Sequence, residues 1–310
     1  MRCLITGASG FLGSHLARKL VKQGWSVWGL VRPQSNLWRL SEILDRISIL
    51  RSDLTDLTPV ARAIQAIEPE VVFHLAWQGV TGDARNAPAQ VTTNVVGSLA
   101  LFQLVQSAGC RTWVGVGSQA EYGPYAGVLT EDLPTLPITT YGVAKLCVGL
   151  LTRKLCDISD IRYVWMRLLA AYGPQDDEQH LIPMVIRQLL SRQRPALTPA
   201  EQRWDYLYVD DAAQALYQVA LCDSAHGVFN LGSGEAYPVR AIVERIRDLI
   251  DPTLSLGIGE VAYRSDQIMH LQADIGRIQK MVGWQPQTSL DEGLKETIGW
   301  SQKRGFETKL

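Results

Sequence analysis

The sequence predicts an α/β fold, a doubly wound parallel sheet carrying a smaller C-terminal lobe. Three observations lead there. A short apolar run, Cys3-Leu4-Ile5-Thr6, passes into the glycine turn Gly7-Ala8-Ser9-Gly10-Phe11-Leu12-Gly13 and then into an amphipathic segment. Further apolar runs follow, separated by segments of helical period. Those runs are continuously apolar, as in Val71-Val72-Phe73-His74-Leu75-Ala76, which is the pattern of strands covered on both faces.

The elements follow in order. The helix after the glycine turn runs from Ser14 to Gln23 and stops at Gly24. Glycines spaced GxxGxxG between a strand and a helix permit a tight turn and close backbone approach, and the helix start offers N–H groups to a phosphate. Trp25 to Val31 is a second strand. A dinucleotide site that selects a free ribose 2′-hydroxyl places an acid at the end of this strand. Here Leu30-Val31 is followed by Arg32, with Ser35 and Asn36 behind it. A cation without an acid suits a 2′-phosphate, so NADP(H) is the expected cofactor and NAD(H) the alternative. Ile47 to Leu50 is a third strand leading to Ser52-Asp53-Leu54, and Pro59 to Ile67 is helical. After the strand at Val71, a helix spans Gln90 to Ala108 and contains Asn94. Trp113 to Gly117 is a fifth strand ending at Ser118, and Ile161 to Met166 is a sixth. Ligands of such sheets lie at the carboxyl ends of the strands, where Ser118 stands.

The chain has 310 residues and a formal net charge of −1. That balance gives no reason to expect a nucleic-acid or acidic-membrane partner. The five cysteines are scattered, without CxxC or nearby histidines in ligand spacing. They read as reduced thiols of a cytoplasmic protein, and no metal is expected. No apolar run reaches the ~20 residues that span a bilayer, and the N-terminus does not read as a signal peptide. Asp210-Asp211 reads as an N-cap with favourable charge at a helix start, not as a metal pair.

Thr139-Thr140-Tyr141-Gly142-Val143-Ala144-Lys145 places Tyr141 and Lys145 four residues apart, on one helix face. A free phenol has a pKa of about 10. A neighbouring ammonium is expected to lower it towards the range of efficient proton transfer.

Taken together, the Gly7/Gly10/Gly13 turn, Asp53-Leu54, His74-Leu75-Ala76, Asn94, Ser118 five residues before Gly123, and Tyr141/Lys145 resemble an extended short-chain dehydrogenase/reductase of the NAD-dependent epimerase/dehydratase group. The resemblance covers nearly the whole chain. It implies a Rossmann-like fold and an oxidoreductase acting on a nucleotide sugar. Ser118, Tyr141 and Lys145 would form the catalytic group; His74 lies in a buried strand and for that reason reads as structural. Gly7, Ser9, Gly10, Phe11, Leu12, Gly13, Arg32, Asp53, Leu54, Leu75, Ala76, Asn94 and Leu168, with Tyr141 and Lys145, would hold the cofactor. Gln119, Glu121, Arg203 and Arg264 would meet the substrate. The family often has Asn where Ala170 stands, and another residue where Trp204 stands. Arg264-Ser265-Asp266 resembles a loop whose Arg pairs with the diphosphate. The implied division is residues 1–172 for the dinucleotide domain, with 205–232 returning to it, and 173–204 plus 233–310 for the substrate domain.

A 4,6-dehydratase of this family needs an Asp-Glu pair where Gln119 and Ala120 stand. The runs Gly117-Ser118-x-x-Glu121-Tyr122-Gly123 and Tyr141-Gly142-Val143-x-Lys145 look most like GDP-4-keto-6-deoxymannose reductases and related 4-ketoreductases. The implied reaction is NADPH-dependent reduction of a nucleotide-linked 4-keto-6-deoxy sugar. A 4-epimerase with bound NAD, and a non-catalytic cofactor-binding protein of this fold, remain as alternatives. Leu99, Leu101, Leu146, Val148 and Leu151 put apolar residues on more than one face of two helices. In the family these helices form a four-helix homodimer interface.

Overall fold

The computed structural model describes residues 1–264 and 267–307, with side chains through 304. In chain order it contains β1 (Arg2–Thr6), α1 (Phe11–Lys22), β2 (Ser26–Val31), β3 (Ile47–Arg51), α2 (Thr58–Ile67), β4 (Val71–His74), α3 (Val96–Ser107), β5 (Thr112–Ser118), α4 (Thr140–Ser159) and β6 (Arg162–Leu168). Beyond these come β7 (Ala170–Tyr172), α5 (Leu181–Leu190), β8 (Ala196–Leu197), β9 (Arg203–Tyr208), α6 (Val209–Leu221), β10 (Gly227–Leu231), β11 (Ala236–Pro238), α7 (Val239–Ile250), β12 (Gly257–Ile258), β13 (His270–Leu271), α8 (Gly276–Val282) and α9 (Leu290–Glu307).

Seven of the described strands form one parallel sheet in the order β10-β6-β5-β4-β1-β2-β3. The chain order reverses between β1 and β4, which is the switch point of a Rossmann-like sheet. Alternate side chains of each strand feed two cores. Ile5 and Phe73 join Leu16 and Leu20 of α1 and Leu216 and Val219 of α6 on one face. Leu4 and Val72 join Ile64 of α2, Phe102 of α3 and Val148 of α4 on the other.

The smaller lobe has its own core, built from Ile182, Val185 and Ile186 of α5, Ile242 and Ile246 of α7, and Leu294 and Ile298 of α9. Its sheet holds β11, β9 and β13, with β7 pairing β9. This corrects two of the expected boundaries. The return to the large sheet runs through α6 and β10, whereas residues 205–208 lie in β9 and pair within the small lobe. Residues 276–284 go the other way, since Ile278 of α8 and Trp284 pack into the core of the large lobe.

Asp210 and Asp211 lie in the first turn of α6, but Tyr208 is the N-cap. Asp210 accepts a hydrogen bond from His15 at 2.6 Å, and Asp211 accepts the backbone N–H groups of Gln287 and Thr288. Both acids therefore tie segments together. Among the described residues no group of His, Cys, Asp and Glu side chains could hold a metal ion, and no helix is long and apolar enough to cross a membrane. All five cysteines are free thiols.

Candidate active site

The glycine turn follows from packing constraints. Gly7 has φ of 71°, and a Cβ there would sit 2.9 Å from the backbone nitrogen of Ala76. A Cβ on Gly13 would stand 2.2 Å from the Gly7 carbonyl oxygen. No larger residue lets α1 start this close to β1. Gly10 caps α1 without a side-chain bond, so the first N–H groups of the helix remain for a ligand.

A cleft of about 390 Å³ opens along the carboxyl ends of the strands. Of the residues expected to hold the cofactor, Gly7, Ser9, Gly10, Arg32, Asp53, Leu54, Leu75, Ala76 and Asn94 line it. Phe11, Leu12 and Gly13 stand behind them in the first turn of α1, and Leu168 ends β6 against the core. Arg32 is exposed at the rim beside Ser35 and Asn36. Asn94 is buried and exchanges hydrogen bonds with the backbone of Gln78, fixing the segment after β4. Trp38, Arg39, Trp77 and Gln78 also line this cleft, although no sequence motif marks them.

Tyr141 and Lys145 both pack on Trp77 of the cleft wall, and Ser118 stands beside Tyr141. Ser118 ends β5 and caps the single turn 119–121, while Thr139 caps α4 by accepting the Gly142 N–H. The Ser118 hydroxyl pulls the Tyr141 phenol beside it towards its ionised form. Burial nevertheless pushes the Tyr141 phenol above its usual range, against the pull of Ser118 and the Arg85 cation. The expected downward pull of Lys145 is therefore not the outcome here. The Lys145 ammonium donates to the Val116 carbonyl at 2.7 Å and lies 3.9 Å from the Trp77 ring centroid. Burial lowers its pKa to about 7.

His74 is structural, as expected. It is buried between Thr6 and Ser98, with ring-nitrogen distances of 2.9 and 2.8 Å, and burial followed by the nearby Lys145 charge holds it neutral with a pKa of about 3.

A narrower cleft beside Tyr141 is lined by Arg85, Gln119, Ala120, Gly123, Pro124, Ile138, Thr139, Trp204, Arg264 and Ile268. Gln119 and Arg264, both expected to meet the substrate, line it. Ser265 and Asp266 lie outside the described residues. Two expected substrate residues are placed elsewhere. Glu121 is fully buried and accepts hydrogen bonds from the Ser118 N–H at 2.9 Å, Trp165 Nε1 at 3.0 Å and Arg167 Nε at 2.8 Å. Arg203 neighbours Trp204 on β9, so it points to the opposite face of that strand. There its guanidinium donates to the Ala236 carbonyl.

The fold and the cleft define a dinucleotide-binding α/β protein with a tyrosine-centred site. The profile of the NAD dependent epimerase/dehydratase family matches residues 3–232, and the chain belongs to that family. It is 28% identical to a UDP-glucose 4-epimerase of Mycolicibacterium smegmatis, over 96% of this chain and 97% of the relative. It is 26% identical to a dTDP-glucose 4,6-dehydratase of Salmonella typhimurium, over 97% and 92%. Among solved structures, the UDP-glucose 4-epimerase of Thermotoga maritima with UDP-glucose superposes with a TM-score of 0.89 at 25% identity, covering 98% of this chain and 99% of that one. MoeE5 in complex with UDP-glucuronic acid and NAD gives 0.85 at 26% identity, covering 98% and 100%.

Proposed function

We propose that this enzyme reduces the C4 keto group of a nucleotide-linked 4-keto-6-deoxy sugar with NADPH. The observation that carries the proposal is the rim of the large cleft, where β2 ends without a carboxylate and Arg32 stands beside Ser35 and Asn36. A guanidinium there suits a 2′-phosphate.

The cleft fits a dinucleotide. A side chain at Gly7 would fill the space against Ala76, and the start of α1 offers N–H groups to the diphosphate. Asp53 and Leu54 would border the adenine, Ala76 the nicotinamide side, and Lys145 the ribose through donors that Val116 does not use. The chemistry such a cofactor supplies when bound is hydride transfer to the carbonyl carbon. Tyr141 donates its proton to the C4 oxygen, and Ser118 donates a hydrogen bond to the same atom.

The substrate cleft has no carboxylate among its described lining residues. Elimination of water across C5 and C6 needs an acid/base pair there, so the lining argues against a 4,6-dehydratase. The 4-epimerases among the relatives and structural neighbours support a second reading, interconversion at C4 with retained NAD.

We also take the enzyme to be a homodimer. Val96 of α3 and Val143, Leu150 and Ile158 of α4 are exposed on the two helices that the family pairs. Leu101 and Val148 fill the core face of the same helices. The reaction is tested by incubating GDP-, dTDP-, CDP- and UDP-linked 4-keto-6-deoxy sugars with NADPH and identifying the products by NMR. Consumption of NADPH with a C4 alcohol as product supports the reading. Interconversion of C4 epimers without added cofactor supports the epimerase.

A further inference from the structure

Arg85 is held against the catalytic tyrosine from both sides. The turn 82–86 that carries it follows β4. Gln90, only 1% exposed, donates its side-chain amide to the carbonyls of Gln78, Gly79 and Ala84. The Asn86 side chain accepts the backbone N–H of Thr140 at 3.0 Å, at the start of α4. The residues immediately before and after Arg85 are therefore tied to the walls of the site. Its guanidinium carbon lies 5.2 Å from the centroid of the Tyr141 ring, and Arg85 lines the substrate cleft with Gln119 and Thr139.

The Arg85 Nε–H is buried and has no acceptor among the described residues. Nε is enclosed, so a ligand oxygen in the cleft would be met by the terminal amino groups of the same guanidinium. Lys145 is engaged elsewhere, with the Val116 carbonyl and the face of Trp77. Tyr141 marks where the reacting carbon lies, so a group packed on its ring meets the sugar before it meets the diphosphate.

We propose that Arg85 binds an oxygen on the reacting edge of the sugar, the C4 oxygen or the hydroxyl beside it, and acts there with Ser118 and Tyr141. This rests on the nucleotide-sugar reading of the site. A charged N–H···O bond strengthens as negative charge gathers on the C4 oxygen, so the contact favours the transition state over the ground state. A residue with this role also sets which sugars are accepted, because an analogue lacking the oxygen loses that charged hydrogen bond.

The experiment compares wild type with Arg85→Met, which keeps an unbranched apolar stem, and with Arg85→Lys, which keeps a cation. Calorimetry gives the affinities for the nucleotide sugar, the bare nucleoside diphosphate and NADPH, and steady-state kinetics give kcat and KM. The expected result for Arg85→Met is a fall in kcat/KM of about 10–100-fold, the range of a hydrogen bond to a charged group, seen mainly in kcat. Affinities for the diphosphate and for NADPH stay within twofold, and Arg85→Lys recovers part of the loss. The inference is overturned if kcat is intact and affinity for the bare diphosphate falls as much as that for the sugar. It is also overturned if Lys is as defective as Met and NADPH affinity falls with them, which is the mark of a purely structural loop contact. Wild-type binding of a nucleotide sugar with unchanged variants overturns this inference alone. Failure of wild type to bind any nucleotide sugar overturns the reading of the site as well.

Discussion

Glu121 offers a sharp test, because the family resemblance implied a substrate contact and the structure places it in a buried network. Replacing it with alanine removes the carboxylate that faces Arg167 Nε at 2.8 Å and that accepts Ser118 N–H and Trp165 Nε1. Arg167 is itself buried, with its Nη1 already lacking a partner. Breaking one partner out of a buried ion pair costs about 3–5 kcal/mol, and an orphaned neutral donor about 1–3 kcal/mol. The three donors share one site and relax together, so the expected loss is about 4 kcal/mol, a large part of an ordinary stability of about 5–15 kcal/mol. Glu121→Gln keeps the shape but not the charge and should lose about half as much. Urea denaturation followed by tryptophan fluorescence measures both variants. Activity provides a second readout, because Glu121 and Ser118 form a reciprocal cap. Loosening that cap should lower kcat while leaving KM for the sugar nearly unchanged. A Glu121→Ala protein with wild-type stability and only a raised KM would refute the buried-network account.

Four further outcomes are expected. Tyr141→Phe should lower turnover by about 10²-fold or more in stopped-flow or steady-state assays while NADPH still binds, since general acid catalysis typically supplies about 10²–10⁴-fold. Arg32→Ala should lose about tenfold or more in KM for NADPH and little for NADH, and equal losses for both would remove Arg32 from the 2′-phosphate site. For Lys145, burial sets the folded pKa at about 7 against an ordinary 10.5. The cost is fully present below pH 7 and fades as pH rises towards 10.5, so wild-type stability should climb across that window by up to about 5 kcal/mol. Lys145→Met should be more stable at pH 7 and lack the climb in urea midpoints at pH 7, 8 and 9. Light scattering at micromolar concentration should give a dimer, and Leu150→Glu together with Ile158→Glu should give a monomer.

Much of this was legible because it is local. The glycine turn, the continuously apolar strands and the capped helix carrying Tyr141 each follow from a few neighbouring residues, and the structure keeps them within a residue or two. Glu121 was locally legible too, since Ser118-Gln119-Ala120-Glu121 has the spacing of a capping box, and the cap outranked the substrate. Arg203 and Trp204 were not legible, because which one faces the cleft depends on the pairing of β9 with β7, β11 and β13, from distant parts of the chain. The Lys145 ammonium was misread for a similar reason. Helical spacing places it near Tyr141, but the Val116 carbonyl and Trp77, brought in by β5 and the segment after β4, take its charge. Arg85 carries no motif at all. Its position comes from Gln90, which ties the turn to its own neighbourhood, and from Asn86, which binds Thr140 across the site.

The central claim is net reduction at C4 with NADPH, with the proton given by Tyr141 and the cofactor choice read from Arg32 at the end of β2. The most direct measurement uses NADPH deuterated at the transferable position of the nicotinamide, with the nucleotide-linked 4-keto-6-deoxy sugar that the panel identifies. The account predicts one deuterium at C4 of the product for each NADPH oxidised, and no turnover without added cofactor. Purified protein that carries NAD⁺, interconverts two C4 epimers unaided and takes no label from added NADPH would contradict it.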